Sequence, residues 1–319
     1  MQITALAGGI GGARFLRGLK HHVSTAGIDA QITVIGNTGD DIWMHGLRIC
    51  PDLDTVMYTL GGGISEERGW GRQDETFVVK AELLAYGIEP NWFGLGDQDL
   101  ATHLIRTQML RTGYPLSDVT AALCERWKPG VTLIPMTNDR AETHVVVDLG
   151  DSLARAIHFQ EWWVKHRAEV PAAKFITVGA DEAVPAPGVL ESIANADIVL
   201  LPPSNPVVSI GTILNINGIR EAIMETNANV IGLSPIVSGA PVRGMADKCL
   251  PVIGVDTTAA AVAQHYGPEL LDGWLVDESD AASVAEVEAA GITCRAVPLM
   301  MRDLDATAAM AAAALELAR

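Results

Sequence analysis

The residues of this chain best suited to chemistry are aspartates set in loops and glycines set in clusters. Asp40-Asp41 and Asp54 flank one stretch, and Asp97 and Asp99 lie on another. A few carboxylates of this kind hold a hard cation such as magnesium and leave positions for phosphate oxygens and water. One of them could instead orient or deprotonate an attacking hydroxyl. Aspartate is also a routine helix cap and turn former, so at each position capping stands beside function. The glycines are densest at Gly8-Gly9-Ile10-Gly11-Gly12, between the apolar run Ile3–Ala7 and a helical pattern from Ala13. Strand, glycine turn and helix is how α/β proteins present backbone N–H groups to a phosphate. The plainer alternative is a tight turn that only packs.

Two familiar phosphate motifs are excluded. A dinucleotide fingerprint requires G-x-G-x-x-G, but Arg14 stands at the third glycine position. The acid expected after the second strand is missing too, since Gly36-Asn37 occupies that place. No Gly-Lys-Ser/Thr follows, so the turn is not a Walker loop either. Arg14 could reach a phosphate or lie on the surface. Ser204-Asn205, between prolines, could read a base or ribose edge, or form a stiff turn. Lys248 reads as a phosphate cation or a plain surface lysine, and His103 and His144 as ligand contacts or structural residues. Trp162 and Trp163 are assigned to packing.

The elements that must position these groups alternate between strand and helix over nearly the whole length. Runs at Gln31–Ile35, Val131–Met136, Ile198–Leu201, Asn229–Leu233, 273–276 and 293–297 read as strands, with short ones at Asn91–Leu95, Thr143–Leu149 and Lys174–Val178. Helices are expected at 151–170, Ile210–Glu225, 257–266, 280–289 and 304–318. The pattern implies an α/β fold, a Rossmann-like doubly wound parallel sheet, as a single domain over residues 1–319. A helical insertion is expected at about 98–128, with Asp99 as its N-cap and Leu100, Leu104, Met109 and Leu110 as its apolar face. Residues 64–76, rich in charge, read as a surface excursion or flap. Ligands of such sheets bind beyond the carboxyl ends of the strands. That rule selects Gly8–Gly12, Gly36–Asp41, Gly96–Asp99, Thr137–Arg140, Pro202–Pro206 and Ser234–Gly239.

Composition narrows the partners. The 319 residues carry a formal net charge of −17, which argues against nucleic acid, whose phosphates need a basic surface. A small anionic ligand would need local arginine, lysine, backbone N–H groups or a bound cation. No apolar run reaches membrane-spanning length. The four cysteines are far apart and form no C-x-x-C pair, so they are expected to be reduced thiols in a cytoplasmic protein with no zinc site.

Taken together, Ala7–Phe15, Asn37–Asp41, Pro51–Tyr58 and Trp92–His103 resemble the 2-phospho-L-lactate transferase family, whose actinobacterial members are phosphoenolpyruvate transferases. Pro203–Gly211 and Ser234–Val237 extend the resemblance to about residue 250. It implies a step in making the deazaflavin coenzyme F(420). The donor would be a guanosine diphosphate derivative carrying phospholactate or enolpyruvyl phosphate, and the acceptor the ribityl hydroxydeazaflavin. The terminal ribityl hydroxyl would attack the distal phosphorus and GMP would leave. Magnesium and a homodimer are implied as well. On this reading Asp40, Asp41 and Asp54 form the catalytic set, with Asp40 and Asp54 on the metal. Gly9, Gly11, Gly12, Arg14, Asn37, Asp97, His103, Ser204, Asn205 and Lys248 bind substrate, and the segments around Met57-Tyr58 and Trp92-Phe93 wall a slot for the planar acceptor. One position departs from the family pattern. A larger or polar residue is expected where Gly94 stands, so a contact through that side chain does not carry over. A rival reading is a non-catalytic regulatory protein of a sister family that shares the fold and binds nucleotide sugars. The Leu95–His103 block and the Asp52/Asp54 pair favour the transferase. The broken fingerprint weakens a third reading, a nicotinamide dehydrogenase.

Overall fold

Ile198-Val199-Leu200-Leu201 is apolar at every position, and all four residues are buried. A strand with no polar face must be covered on both sides, as in parallel sheets flanked by helices. The computed structural model describes residues 1–148, 150 and 153–319 and places this strand at the centre of a seven-stranded sheet. In chain order the strands are β1 (Gln2–Ala7), β2 (Gln31–Gly36), β3 (Thr132–Pro135), β4 (Ile198–Leu201), β5 (Asn229–Leu233), β6 (Gly273–Val276) and β7 (Thr293–Ala296). They lie in the order β7-β6-β5-β4-β1-β2-β3, and every neighbouring pair is parallel. The chain builds outward from β1 in one direction, then returns to β4 and builds in the other. That reversal opens a crevice beyond the carboxyl ends of β1 and β4.

Alternation along the strands feeds two cores. Ile3, Ala5 and Ala7 of β1 face one, and Leu6 faces the other. The helices that matter for the site are α1 (Gly9–Thr25), α2 (Pro51–Leu60), α3 (Asp99–Arg111), α4 (Leu116–Trp127) and α5 (Leu304–Leu317). Phe15, Leu16 and Leu19 of α1 fill the first core together with Ala311, Ala314 and Leu315 of α5. Val199 and Leu201 pack with Ile213, Ile219 and Ile223 in the second.

Several local expectations change. The stretch 151–170 is not one helix. Ala154–His158 is a strand, paired antiparallel with Glu142–Asp148, which pairs in turn with Ala172–Val178. Its backbone polar groups are satisfied across that small sheet instead of within a helix. A single π-turn, Glu161–Lys165, follows. The expected strand end at Leu149 and the helix start at Asp151-Ser152 lie outside the described residues. Asn91–Leu95 joins no sheet. The helix expected over Ile210–Glu225 breaks between Leu214 and Ile219, where Gly218 caps the second piece.

The largest difference is α3. Its buried residues are Thr102, His103, Arg106 and Thr107, whereas Leu104 is 56% exposed and Ile105 47% exposed. The helix turns its polar stripe inward, and the reason lies in the site it serves.

Candidate active site

A cleft of about 810 Å³ occupies the reversal point of the sheet. Gly8–Gly11 follow β1, Pro203-Ser204-Asn205 follow β4, Ser234-Pro235 follow β5, and Leu299–Arg302 follow β7; all line it. Helix α2 begins with Pro51 and sets Asp52 and Asp54 in its first turn. Proline suits that position because its missing N–H would be unsatisfied there anyway. The two carboxylates complement the positive end of the helix dipole. Asp52, Asp54, Thr55 and Tyr58 of α2 reach the cleft, as do Asp99 and His103 of α3.

Around Asp54 the charges interlock. Asp54 is ion-paired with the fully buried Arg106. Arg106 Nη1 lies 3.1 Å from His103 Nδ1. A guanidinium can only donate, so Nδ1 accepts and the imidazole proton sits on Nε2. That nitrogen lies 3.3 Å from Asp99 Oδ2. Tyr58 donates its hydroxyl hydrogen to Asp99 Oδ1. Burial raises the Asp54 pKa, and the Arg106 guanidinium pulls it back down without cancelling the rise. Burial acts on Asp99 as well, but His103 and Tyr58 hold it below the usual carboxylate range. Asp54 Oδ2 has no hydrogen-bond partner. Asp54, Asp99 and His103 each direct a ligand atom into a common space, all within 4.8 Å of one another. On α3, Asp99, His103 and Arg106 are spaced i, i+4, i+7, which puts them on one face.

A second acidic pair stands beside the glycine turn. Asn37 is wholly buried and gives its amide hydrogens to Asp52 Oδ2 at 2.8 Å and Asp40 Oδ1 at 3.2 Å. Its own oxygen accepts from Gly39 N at 2.9 Å. Gln160 Nε2 donates to Asp40 Oδ2 at 2.9 Å. Burial, followed by repulsion from Asp52, raises the Asp40 pKa well above the ordinary range. Burial lifts Asp52 to about 6 against the pull of Asn37 and the Gly9 backbone N–H. Gln160 reaches Asp40 from the small antiparallel sheet. Its backbone N–H donates to His158 Nδ1 at 3.1 Å, so His158 Nε2 carries the proton toward the Asp41 carbonyl, also 3.1 Å away. Burial drops the His158 pKa to about 4, which keeps the ring neutral.

The family model for 2-phospho-L-lactate transferase CofD matches residues 3–309. The chain belongs to this family. It is 70% identical over 318 residues to the phosphoenolpyruvate transferase of Streptomyces griseus subsp. griseus, covering 100% of this chain and 98% of the relative. It is 65% identical over 322 residues to the corresponding protein of Thermobifida fusca, covering 100% and 98%. With that of Mycolicibacterium smegmatis it shares 58% over 328 residues, covering 100% and 99%. Among solved structures, a UPF0052 family member from Bacillus halodurans superposes with a TM-score of 0.62 at 17% identity, covering 98% of this chain and 99% of that one. That likeness shows the fold alone. The CofD match runs well past residue 250, where the motif resemblance ended.

Within this CofD-family cleft the expected residues separate into two groups. Gly9, Gly11, Arg14, Asp40, Asp54, His103, Ser204 and Asn205 all line it. The other five lie off it. Asp41 is 0% exposed and pairs with Arg48, Oδ2 to Nη2 at 3.0 Å, while Arg48 Nη1 reaches Glu142 Oε1 at 3.4 Å. Asn37 holds the acids from behind. Asp97 caps the helix Val78–Ala85, accepting from Val78 N at 2.8 Å and Val79 N at 2.9 Å. Lys248 is on the exposed surface. Gly12 is buried, and a Cβ there would lie 2.8 Å from Ser204 Oγ. Asp99 turns out to be no N-cap, because Gln98 holds that position. Of the aromatic segments, Tyr58 and Phe93 reach the cleft, whereas Met57 is buried in the core. Trp162 is core, as expected. Trp163, assigned to packing, lies on the cleft wall stacked on Phe159, with centroids 6.5 Å apart.

Asp52, marked in the sequence only as one of the Asp52/Asp54 pair, also lines the cleft, as do Gln160, Trp70, Arg243 and Arg302, with Arg106 behind Asp54. Of Gln160, Trp70, Arg243, Arg302 and Arg106, only Arg106 has a legible sequence signal, the polar i, i+4, i+7 stripe.

Two tests follow from these networks. Arg106→Met leaves Asp54 buried without its cation and is expected to cost about 3–5 kcal/mol of stability. Urea unfolding measures it, and Arg106→Met combined with Asp54→Asn should recover part of the loss. For Asp52, a folded pKa near 6 above an unfolded value near 4 means that the native state binds the extra proton. The contribution of Asp52 to stability is therefore fullest below about pH 4 and is lost as pH rises through about 6, by roughly 3 kcal/mol at most. Asp52→Asn keeps an acceptor for Asn37 and should flatten that fall in a series of unfolding curves between pH 4 and 7.

Proposed function

We propose that the chain transfers an enolpyruvyl phosphate group from a guanosine diphosphate-linked donor to the terminal ribityl hydroxyl of 7,8-didemethyl-8-hydroxy-5-deazariboflavin, releasing GMP. The observation that carries this reading is the juxtaposition, in one cleft, of a buried carboxylate with one oxygen, Asp54 Oδ2, that has no hydrogen-bond partner, and a set of arginines suited to a diphosphate. The name shared by the Streptomyces, Thermobifida and Mycolicibacterium relatives supports enolpyruvyl over lactyl.

Arg14, Arg243 and Arg302 line the cleft. Guanidinium groups suit phosphate oxygens through paired, charge-assisted hydrogen bonds. They would offset the donor's charge in a protein whose own net charge is −17. Phosphoryl transfer demands positioning and charge stabilisation more than covalent help. Asp54, its pKa raised by burial, would accept the ribityl hydroxyl proton at Oδ2. The hydroxyl oxygen forms its bond to the distal phosphorus as the bond from that phosphorus to the bridging oxygen breaks, and GMP leaves with the bridging oxygen. Arg106 and His103 hold Asp54 and Asp99 in place throughout.

The donor set also bears on magnesium. Carboxylates fit a hard cation. The imidazole suits transition metals better, and its Nδ1 is engaged by Arg106. Asp99, which its neighbours keep ionised, is thus the residue that would hold magnesium, leaving Asp54 Oδ2 to the proton and Asp40 in the separate pair with Asp52. The ion would supply charge neutralisation at the phosphates. A homodimer and a cytoplasmic location remain part of the proposal. No helix of the described residues is long and apolar enough to cross a membrane.

Incubating the protein with the deazaflavin acceptor, the guanosine-linked enolpyruvyl donor and magnesium should yield GMP and the phosphorylated acceptor by mass spectrometry. Absence of GMP with either donor would sink the reading. Asp54→Asn, which keeps an acceptor for Arg106, should lower kcat by about a hundredfold or more, the scale of a lost general base. Because the variant also leaves Arg106 buried without its counter-charge, it should lose stability in urea, and kcat is compared where its circular dichroism spectrum still matches that of the parent.

A further inference from the structure

Residues 61–76 wrap over one end of the cleft, and their tip is Gly69-Trp70-Gly71. Both glycines have positive φ, +75° and +65°, a conformation that L side chains rarely adopt. The base of the wrap is closed by a backbone bond from Ser65 N to Gly71 O at 3.0 Å. Further along, Glu75 accepts from Gln98 N at 2.6 Å and Asp99 N at 3.1 Å. The wrap is therefore fastened to the start of α3, beside Asp99.

Trp70 is the one large side chain at this tip. It lies on the cleft wall and is 41% exposed. A buried tryptophan would explain itself as core, but this one is only partly covered. The Arg68 guanidinium lies over one face, 5.5 Å from the ring centroid, so a stacking partner would take the other face. Arg243 Nη2 donates to the Arg68 carbonyl at 3.0 Å, pinning the tip from the opposite wall. Across from the ring stands Gly94, also on the cleft. A Cβ at residue 94 would lie 2.7 Å from Trp70 Cη2 and 3.2 Å from Cζ3. Any side chain there would displace the ring. The absence of a side chain at Gly94 is the socket for Trp70.

We infer that Trp70, seated in the notch at Gly94, is the wall against which the flat ring system of the acceptor stacks, and that Gly94 is the positioning residue that admits it. The inference rests on the transferase reading of the cleft. Trp70 shares the cleft with the carboxylates and Arg243, on a wrap that accepts from Asp99 N through Glu75 and from Arg243 through the Arg68 carbonyl. A planar acceptor stacked on it would carry its hydroxyl side chain toward Asp54. The broad, polarisable face of an indole suits such a ring system.

The test is steady-state kinetics on Trp70→Ala, Trp70→Phe, Gly94→Ala and the double variant Trp70→Ala with Gly94→Ala. Trp70→Ala should raise the acceptor KM about tenfold, the scale of losing one aromatic stacking partner, with donor KM and kcat little changed. Trp70→Phe should recover most of the loss. Gly94→Ala should mimic Trp70→Ala, and the double variant should be no worse than Trp70→Ala alone, because both changes remove the same contact. Unfolding midpoints close to the parent's would show that the fold is intact, as the exposure of Trp70 leads one to expect. If the parent protein turns over and Trp70→Ala leaves the acceptor KM unchanged, the inference is overturned and the transferase reading stands. A rise in donor KM instead, or additive losses in the double variant, would overturn it equally. A parent protein that does not turn over would refute the transferase reading itself.

Discussion

The arrangement of this protein depends on keeping one buried arginine paired. Arg106 is fully enclosed, and a charge so placed must find an opposite charge and hydrogen-bond acceptors or unfold its surroundings. It finds Asp54 on α2, His103 one turn back on its own helix, and the Arg48 carbonyl at 3.5 Å. That requirement fixes which face of α3 points inward. Once Arg106 faces α2, His103 and Asp99 must face it too, and Leu104 and Ile105 are left on the outside. Thr107 Oγ1 accepts from Arg48 N at 2.9 Å, so the same face also clamps the hairpin Ile42–Met44 and Leu47–Ile49. The exposed leucine and isoleucine are the cost of a polar stripe that the site cannot do without.

Asn37 organises a second layer by a different device. Among the described residues no cationic side chain hydrogen-bonds or ion-pairs with Asp40 or Asp52. One amide bridges both acids, and Gln160 arrives from the small antiparallel sheet. The neutral His158 holds that sheet's edge to the Asp41 carbonyl, and Asp41 is itself locked by Arg48. The small sheet thus sets the distance between Gln160 and Asp40. Two acidic groups in one cleft accordingly have opposite characters. Asp99 is held ionised by its neighbours, while Asp40 and Asp52 are shifted toward protonation.

What could be read from the sequence followed how local each signal was. The strands Ile198–Leu201 and Asn229–Leu233, the glycine turn and the aspartate-bearing start of α2 are written in contiguous residues, and the structure has them where expected. The side chains that complete the cleft arrive from far away along the chain. Gln160, Arg243 and Arg302 look like ordinary surface residues until topology brings them to β1 and β4. Ala154–His158 was misread because strand pairing outweighed its helical composition. The orientation of α3 was misread because an apolar face normally wins, and here a charge requirement won instead. Asp97 and Asp99, two residues apart, show the limit directly: one caps a helix and the other faces the cleft, and no local pattern separates them.

The glycine turn shows how a motif can be right in place and different in physics. Gly11 is required because a Cβ would lie 2.6 Å from the Pro203 carbonyl oxygen, and Gly12 because one would meet Ser204 Oγ. Ser204 Oγ donates in turn to the Gly8 carbonyl at 2.9 Å. These glycines therefore join the loops after β1 and β4 edge to edge, and that joint forms the floor of the cleft. The start of α1, which would favour an anion, already faces Asp52, whose oxygens lie about the Gly8 and Gly9 positions. A phosphate placed there would meet a carboxylate unless Asp52 were protonated or a cation intervened. On the proposed function, recognition of a diphosphate would shift along the wall to Arg14, Arg243 and Arg302, which also line the cleft. The backbone turn shapes the cleft, and the arginines supply the charge that an acidic protein otherwise lacks.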